Sequence, residues 1–421
     1  MLALQSPGSK SSLDGLRLRI LTFTALYPNK VNPLQGIFIH QRAKHLARRP
    51  GNSVEVIAPV PYFPSWLPVP RWSQFGQIPR EEEIDGVRIH YPRYPLLPGI
   101  SMPVHGMLMY LSSLPLGRRL HREKTFDCID AHFVYPDGFA AVRLGKTLTL
   151  PVIVSARGTD INLYSSFRLI RPMLRWTLTN AAGAIAVSAD LKNKMIALGI
   201  PETKIQVIAN GVDTGRFHPL DANSARKRLG LPEEGAILVS IGSLIESKGH
   251  HLLIAAVAKL TERVPKLRLY VLGEGVYRAK LEELVREKQL QQNVFLPGNQ
   301  PNEELSMWFS AADLSCLMSS REGWPNVVSE ALACGTPVLA ARIGGIPEII
   351  TSPELGILVE RNVDCIAAGL EQALTKAWNR EEIARRSRSR TWDTVAAEVE
   401  AFLKSKAGPS RERISGISSV G

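Results

Sequence analysis

Two glutamates eight positions apart frame the run Glu322-Gly-Trp-Pro-Asn-Val-Val-Ser-Glu330-Ala-Leu-Ala-Cys-Gly-Thr-Pro. Pro325 suits the first turn of a helix, where its missing N–H costs nothing. Asn326 and Val327 then bring unpaired amides to the helix start, and with the helix dipole these make an anion site. Glu322 stands just before the helix and Glu330 inside it, so at about 1.5 Å per residue their backbones lie roughly 12 Å apart. That span suits two ends of one elongated ligand better than two carboxylates sharing a proton. Hydroxyls at each end with a diphosphate between describe a nucleotide-sugar. Glutamates at this interval are common on any exposed helix; the apolar run and the Gly and Pro punctuation around them give the pair its weight.

Four further segments carry candidate ligand contacts. In Gly242-Ser243-Leu-Ile-Glu-Ser-Lys248-Gly-His, a lysine leaves a strand end beside a helix start, where it can neutralise phosphates. Without that context, a lone surface lysine is an equally good reading. The pair Gly344-Gly345, in Ala341-Arg342-Ile-Gly344-Gly345-Ile-Pro347-Glu348, is expected to let backbone amides approach a ligand closely. Ser155-Ala-Arg157-Gly158-Thr159-Asp160 lies at a strand end in the other half of the chain, and Gly36 precedes the first helix, offering another amide cluster. Gly273-Glu-Gly275 also follows a strand, but Arg278 stands where a dinucleotide fingerprint needs its third glycine, which weakens a dehydrogenase reading.

The elements that must position these residues alternate between short apolar runs and helical patterns, the mark of parallel α/β architecture. Strands are expected at 16–23, 53–58, 87–91, 127–131, 152–156, 184–187 and 205–208, then at 237–241, 267–272, 294–296, 314–316, 338–340 and 357–359. Helices fall between them, at 37–47, 138–144, 170–180 and 190–198, then at 250–263, 278–289, 303–311, 327–333 and 365–378. Asn210-Gly211 is a turn signal, and the stretch to Pro219 has neither periodicity. The expected organisation is two Rossmann-like parallel-sheet domains, 16–210 and 211–390, facing each other across a cleft in which ligands bind. A final amphipathic helix follows over 391–405, and the ends, 1–15 and 406–421, read as disordered.

Composition narrows the class. The 421 residues, 45% hydrophobic and 21% charged, fit neither a polytopic membrane protein nor a wholly disordered chain. Cys128, Cys316, Cys334 and Cys365 are widely spaced with no C-x-x-C pair, which argues against a disulfide scaffold or structural zinc and for a reducing compartment. No metal cluster is read from the sequence. Residues 1–14 are too polar for a signal peptide, so a cytoplasmic location is expected. The net charge of +12 is one-sided: residues up to Asn210 hold 25 basic and 13 acidic side chains, whereas the rest hold 26 of each. Such a field attracts anionic lipid, nucleic acid or phosphorylated substrates, or simply keeps the surface soluble. Residues 94–117 are uncharged, but Pro95, Pro98, Pro103 and Pro115 argue against a spanning helix. A short helix over 104–116, ending at Arg118, Arg119 and Arg122, fits either a membrane face or a core. The Pro- and aromatic-rich stretch 59–72 reads as a loop that contacts an acceptor or lipid, or that packs over the core.

From about Leu16 to Lys404, and most specifically in its second half, the chain resembles family 4 of the glycosyltransferases, with the GT-B fold. The resemblance rests on Glu322-x7-Glu330, Gly242…Lys248-Gly249, Asn210-Gly-Val-Asp213…Phe217-x-Pro219, Gly273-Glu-Gly275 and Gly344-Gly345. Within that family the chain is most similar to bacterial enzymes of exopolysaccharide, teichuronic-acid-type or lipopolysaccharide synthesis. The resemblance implies a nucleotide-sugar donor on the C-terminal domain and a glycan or lipid-diphosphate acceptor on the basic N-terminal domain, at the inner membrane face. It implies transfer of a hexosyl group with retention and no cofactor. Glu322 would hold sugar hydroxyls and Glu330 the ribose, while Lys248, the amides at Asn326 and Val327 and the backbone of Gly344 and Gly345 would hold the diphosphate. Gly36 and Asp160 would add substrate contacts. Two positions depart from the family: Ser243 replaces a common arginine, and Arg157 replaces a common histidine. Arg157 is expected to bring positive charge to the leaving diphosphate or to bind the acceptor's phosphate. The competing readings are a GT-B epimerase and a basic membrane- or nucleic-acid-binding protein. The latter has no reason to carry both Lys248 and the paired glutamates, and nucleic acid is not the expected partner.

Overall fold

The computed structural model describes residues 17–62, 74–96 and 101–408, so the expected disordered N-terminus, 409–421 and residues 63–72 of the loop lie outside the described residues. Ten strands belong to the N-terminal half: β1 (Arg19–Phe23), β2 (Ser53–Ile57), β3 (Val60–Tyr62), β4 (Glu81–Ile84), β5 (Val87–His90), β6 (Arg93–Pro95), β7 (Cys128–His132), β8 (Val152–Ala156), β9 (Gly183–Ala186) and β10 (Ile205–Val207). Eight of them form a sheet in the order β10-β9-β8-β7-β1-β2-β5-β4, and β3 pairs with β6. β1 runs parallel to β2 and β7, with Leu21 opposite both Glu55 and Ile129. β4 is antiparallel to β5. Its three glutamates hide it from an apolar-run reading, yet Asp85 and Gly86, with φ of 51° and 78°, make the two-residue turn that such a hairpin requires.

The C-terminal half forms a second sheet in the order β13-β12-β11-β14-β15-β16, with every pair parallel. Its strands are β11 (Ile237–Ile241), β12 (Arg268–Leu272), β13 (Val294–Gly298), β14 (Leu314–Leu317), β15 (Val338–Ala341) and β16 (Gly356–Val359). Side chains alternate across a strand, so Ile237, Val239, Val338 and Ala340 enter one core cluster. Leu238 and Leu339 enter the cluster on the opposite face. Both faces are covered, which is why these strands read as unbroken apolar runs. The two doubly wound sheets are the Rossmann-like pair that the element pattern predicts.

Contacts divide the chain into two compact units. Of the described residues, one takes those within 17–155, 172–184 and 396–408; the other comprises 156–171 and 185–395. The loops that follow β8 and β9 thus belong with the second sheet. The last helix, Trp392–Ala407, runs into residues assigned to the first unit, where Glu400 pairs with Arg49.

One helical expectation needs correction, and one helix was not expected. The helix expected over 104–116 runs instead over His105–Lys124, with Pro115 inside it. The carbonyl that Pro115 leaves unbonded is that of Leu111, on an exposed face where water can satisfy it. Met109, Ser113 and Leu120 make its buried stripe, and Gly106 fits beneath Phe139, so one face is a core face. The helix Ala222–Arg228 carries no apolar stripe and had no signal in the pattern. Its anchor is Arg226, buried, which donates to the carbonyls of Ala311 (3.0 Å) and Glu233 (2.9 Å) and to the Asp313 carboxylate (2.9 Å). Asp313 also accepts from the Ile237 amide at the start of β11. Arg226→Met should therefore lower unfolding stability by about 2–3 kcal/mol in urea titrations, because it strands several buried acceptors at once.

Candidate functional site

The site residues of the second unit converge where two strands end. After β11 the chain turns through Gly242 and Ser243, makes a short helical turn at Glu246–Lys248 and enters the helix His250–Ala258. That helix start is fixed from below: Ser240 donates its hydroxyl to the Cys316 carbonyl (2.9 Å) and lies 3.1 Å from His250 Nδ1. After β14 the chain passes through Ser320 and Arg321 to Glu322. The Ser320 amide donates to the Ser247 carbonyl at 2.7 Å, tying the two loops together one residue from Lys248 and two from Glu322. Lys248 Nζ then meets Glu322 Oε1 at 2.6 Å, both side chains largely buried. Groups 74 positions apart in the sequence thus end in one ion pair, formed between the two groups expected at phosphate and sugar hydroxyls.

A second constraint holds the Glu322 loop. A Cβ on Gly344 would lie 2.3 Å from the Glu322 carbonyl, and Gly344 has φ +51°. Gly345 fits against the Gly323 carbonyl in the same way, and Gly323 fits against the carbonyl of Arg157. The glycine pair was expected to make room for a ligand. What fills the space at its Cβ positions is the backbone of the Glu322 loop, so the glycines are needed for loop-to-loop packing. Asn162 Nδ2 adds a bond to the Glu322 carbonyl (3.1 Å), and its own Oδ1 accepts from Lys194 Nζ (2.8 Å).

Arg157 and Asp160 serve this frame directly. Asp160 is fully buried, and its carboxylate accepts from the amides of Gly158 (2.8 Å), Ile161 (3.1 Å) and Arg157 (3.2 Å). It shapes the turn. The Arg157 guanidinium is almost buried and donates to Asn210 Oδ1 at 2.8 Å; Asn210 Nδ2 donates to Asn326 Oδ1 at 2.9 Å. Its charge therefore sits two hydrogen bonds from the first residue of the helix Asn326–Ala333. Pro325 takes the N-cap position of that helix with no side-chain cap, and the amides of Asn326 and Val327 begin it.

Glu330 lies inside the same helix, partly buried, and desolvation pushes its carboxyl up to about 7. Arg216 opposes the shift and Asp213 adds to it, so the turn after Asn210-Gly211 supplies the charges that face Glu330. Ser243 is exposed at the end of β11. Gly36 lies in the first unit, with φ +64° at the N-terminus of the helix Ile37–Arg48 and its Cβ position filled by the Leu26 carbonyl. Sequence reasoning missed Asn162 and Lys194, which belong to no motif and meet Glu322 only through the fold. Cys128, Cys316, Cys334 and Cys365 are all free thiols, the first three buried.

Comparison with known proteins agrees on the class. Residues 221–390 match the model of "Glycosyl transferases group 1", and residues 35–216 match that of "Glycosyltransferase Family 4". A Bacillus subtilis (strain 168) protein, TuaC, named as a glycosyltransferase of teichuronic acid biosynthesis, is 26% identical over 395 residues, covering 93% of this chain and 97% of its own. Sucrose-phosphate synthase (tll1590) from Thermosynechococcus elongatus superposes with TM-score 0.75 at 20% identity, covering 92% of this chain and 98% of its own. Anabaena Alr3699/HepE in complex with UDP superposes with TM-score 0.69 at 18% identity, covering 93% of this chain and all of its own. With both sheets doubly wound, the chain has the GT-B fold, and it is a glycosyltransferase built from a family 4 domain at 35–216 and a group 1 domain at 221–390.

Proposed function

We propose that this glycosyltransferase moves a hexosyl group from a nucleoside diphosphate sugar to a glycan or lipid-diphosphate acceptor in cell-surface polysaccharide synthesis, with retention at the anomeric carbon. The observation that carries the reading is the Lys248–Glu322 pair at 2.6 Å, near the uncapped start of the helix Asn326–Ala333. A donor diphosphate at that helix start draws Lys248 away from Glu322, and the freed carboxylate accepts sugar hydroxyls. The C1–O bond to the β-phosphate then breaks, and Lys248 and the amides of Asn326 and Val327 stabilise the charge that develops on the leaving group. The acceptor oxygen attacks from the same face and gives its proton to a departing phosphate oxygen. The teichuronic acid name borne by TuaC and the UDP bound by HepE support a polysaccharide product and a nucleotide donor.

An anionic membrane surface fits the first unit. On the helix His105–Lys124, Val104 just before it and Leu111 are half-exposed on the face that continues through Pro115 to Arg118 and Arg122. Apolar side chains beside arginines suit the headgroup boundary of an inner leaflet. Among the described residues, no helix is long and apolar enough to cross a membrane.

Three kinds of outcome test these statements, the first of them ligand binding and turnover. A thermal-shift screen of UDP-, GDP- and ADP-sugars should find one nucleotide that stabilises the protein, and product NMR should show the donor's anomeric configuration kept. Lys248→Ala should lower kcat/KM by about a hundredfold; an unchanged value sinks the phosphate assignment.

The second outcome is a pH profile. Ribose hydroxyls donate to ionised Glu330, whose carboxyl titrates at about 7 in the free protein. Donor affinity should therefore rise as pH increases through about 7, with proton release on binding, because the ligand favours the ionised form. Calorimetry in buffers of different ionisation enthalpy reads that proton, and Glu330→Gln should flatten both effects. Third, co-sedimentation with anionic vesicles should fall for Arg118→Glu with Arg122→Glu, and should weaken with salt.

A further inference from the structure

Glu322 has a second environment besides Lys248. Together with Asn162, Arg171, Lys194, Arg321 and Gly344 it lines a cavity of about 660 Å³ in the second unit, and Lys248 does not line it. Three cations thus face one space. Lys194 is engaged, donating to Asp190 (2.6 Å) and Asn162 (2.8 Å). Glu322, the carboxylate in the wall, is paired with Lys248 in the free protein. The guanidiniums of Arg171 and Arg321 have no hydrogen-bond or ion-pair partner among the described residues, and both are exposed. Two free guanidiniums lining one cavity offer the planar, forked donors from which a phosphate accepts bidentate bonds. The segment between the lining residues Ser165 and Arg171 also exposes Phe167 (42%) and Leu169 (66%), apolar side chains adjoining the lining residues in sequence.

We propose that this cavity is a phosphate subsite for the acceptor, with Arg171 and Arg321 as its ligands and Glu322 as the wall it shares with the donor's sugar. The proposal rests on the transfer reading above, and it assigns the acceptor an anionic phosphate group near the hydroxyl that reacts. Lys248 and the amides of Asn326 and Val327 serve the donor's diphosphate, so the two anions use separate cations and can be bound together. Arg157 is then not the acceptor's phosphate ligand, since its guanidinium is held inside the frame by Asn210.

The test is calorimetric titration of inorganic phosphate into the full chain, with and without UDP, GDP and ADP present together. Phosphate should bind the nucleotide-loaded wild type. Arg171→Ala with Arg321→Ala should weaken it at least tenfold while nucleotide affinity stays the same, and the Lys pair at these positions should restore part of it. No phosphate binding in the loaded wild type, or equal binding in the double variant, overturns the subsite. If no nucleotide binds, the donor reading fails instead; phosphate titrated into Lys248→Ala then still reads the Arg171 and Arg321 dependence alone. Phosphatidic acid vesicles and glycerol 3-phosphate, used as competitors, separate the sources. Competition by the vesicles that Phe167→Ser with Leu169→Ser abolishes supports a lipid-borne phosphate at this subsite, and competition by glycerol 3-phosphate alone supports a free one.

Discussion

Close approach of bare backbone is the constraint on which the site depends. At Gly323, Gly344 and Gly345 a methyl group would fall within 2.3 Å of a neighbouring carbonyl oxygen, far inside van der Waals contact. Three loops from distant parts of the sequence, around Arg157, Glu322 and Gly344, are stacked with no side chain between them. Any residue larger than glycine at this seam must push the neighbouring backbone away by about an ångström, and the distance from Glu322 to Lys248 moves with it. The polar bonds around the seam, from Asn162 to the Glu322 carbonyl and from Ser320 to Ser247, fix direction once the glycines have allowed proximity.

Electrostatics explains why so tight a frame is needed. A largely buried ammonium and carboxylate compensate each other's desolvation only at short range and good geometry. In the free protein Lys248 and Glu322 do this for one another, so neither charge is stranded while the site is empty. A ligand that offers phosphate to the lysine and hydroxyls to the glutamate replaces both partners at once, whereas a ligand with either feature alone leaves one buried charge unmatched. On the proposed reading, the pair would select for molecules carrying both features at the right separation, which is a stricter requirement than affinity for phosphate.

How much of this was legible depended on the range of the interaction. Strands of the second sheet were readable to within a residue or two because they are buried on both faces and bounded by glycine; β11 is a clean case. β4 was not, since Glu81 and Glu83 are exposed at a sheet edge and the half-buried Glu82 takes a Tyr91 hydroxyl rather than an apolar contact, although the Asp85-Gly86 turn could have given it away. The helix Ala222–Arg228 was invisible because a buried arginine, not an apolar stripe, holds it. Among site residues, Glu322, Glu330 and Lys248 stood out through strand-end placement and spacing. The glycine pair was found but for a different physical reason, and Asp160 turned out to hold backbone amides. Asn162, Lys194, Arg171 and Arg321 carried no local signal: they acquire meaning only when residues some 160 positions apart are brought together.

That last group bears on how two anionic substrates can share one site without repelling each other. If both phosphates drew on Lys248, binding one would weaken the other, and the reacting oxygen would be pushed from the sugar carbon it must reach. Separate cations remove the conflict. Glu322 is the residue that touches both environments, so its carboxylate can stand between the two phosphates only because each has its own positive partner. The arginines at 171 and 321 cost little in the free protein, since exposed guanidiniums keep their water. Their value appears when an anion displaces that water. An enzyme that must hold two negatively charged molecules a bond length apart at the reacting atoms needs that division of charge more than it needs any single strong contact.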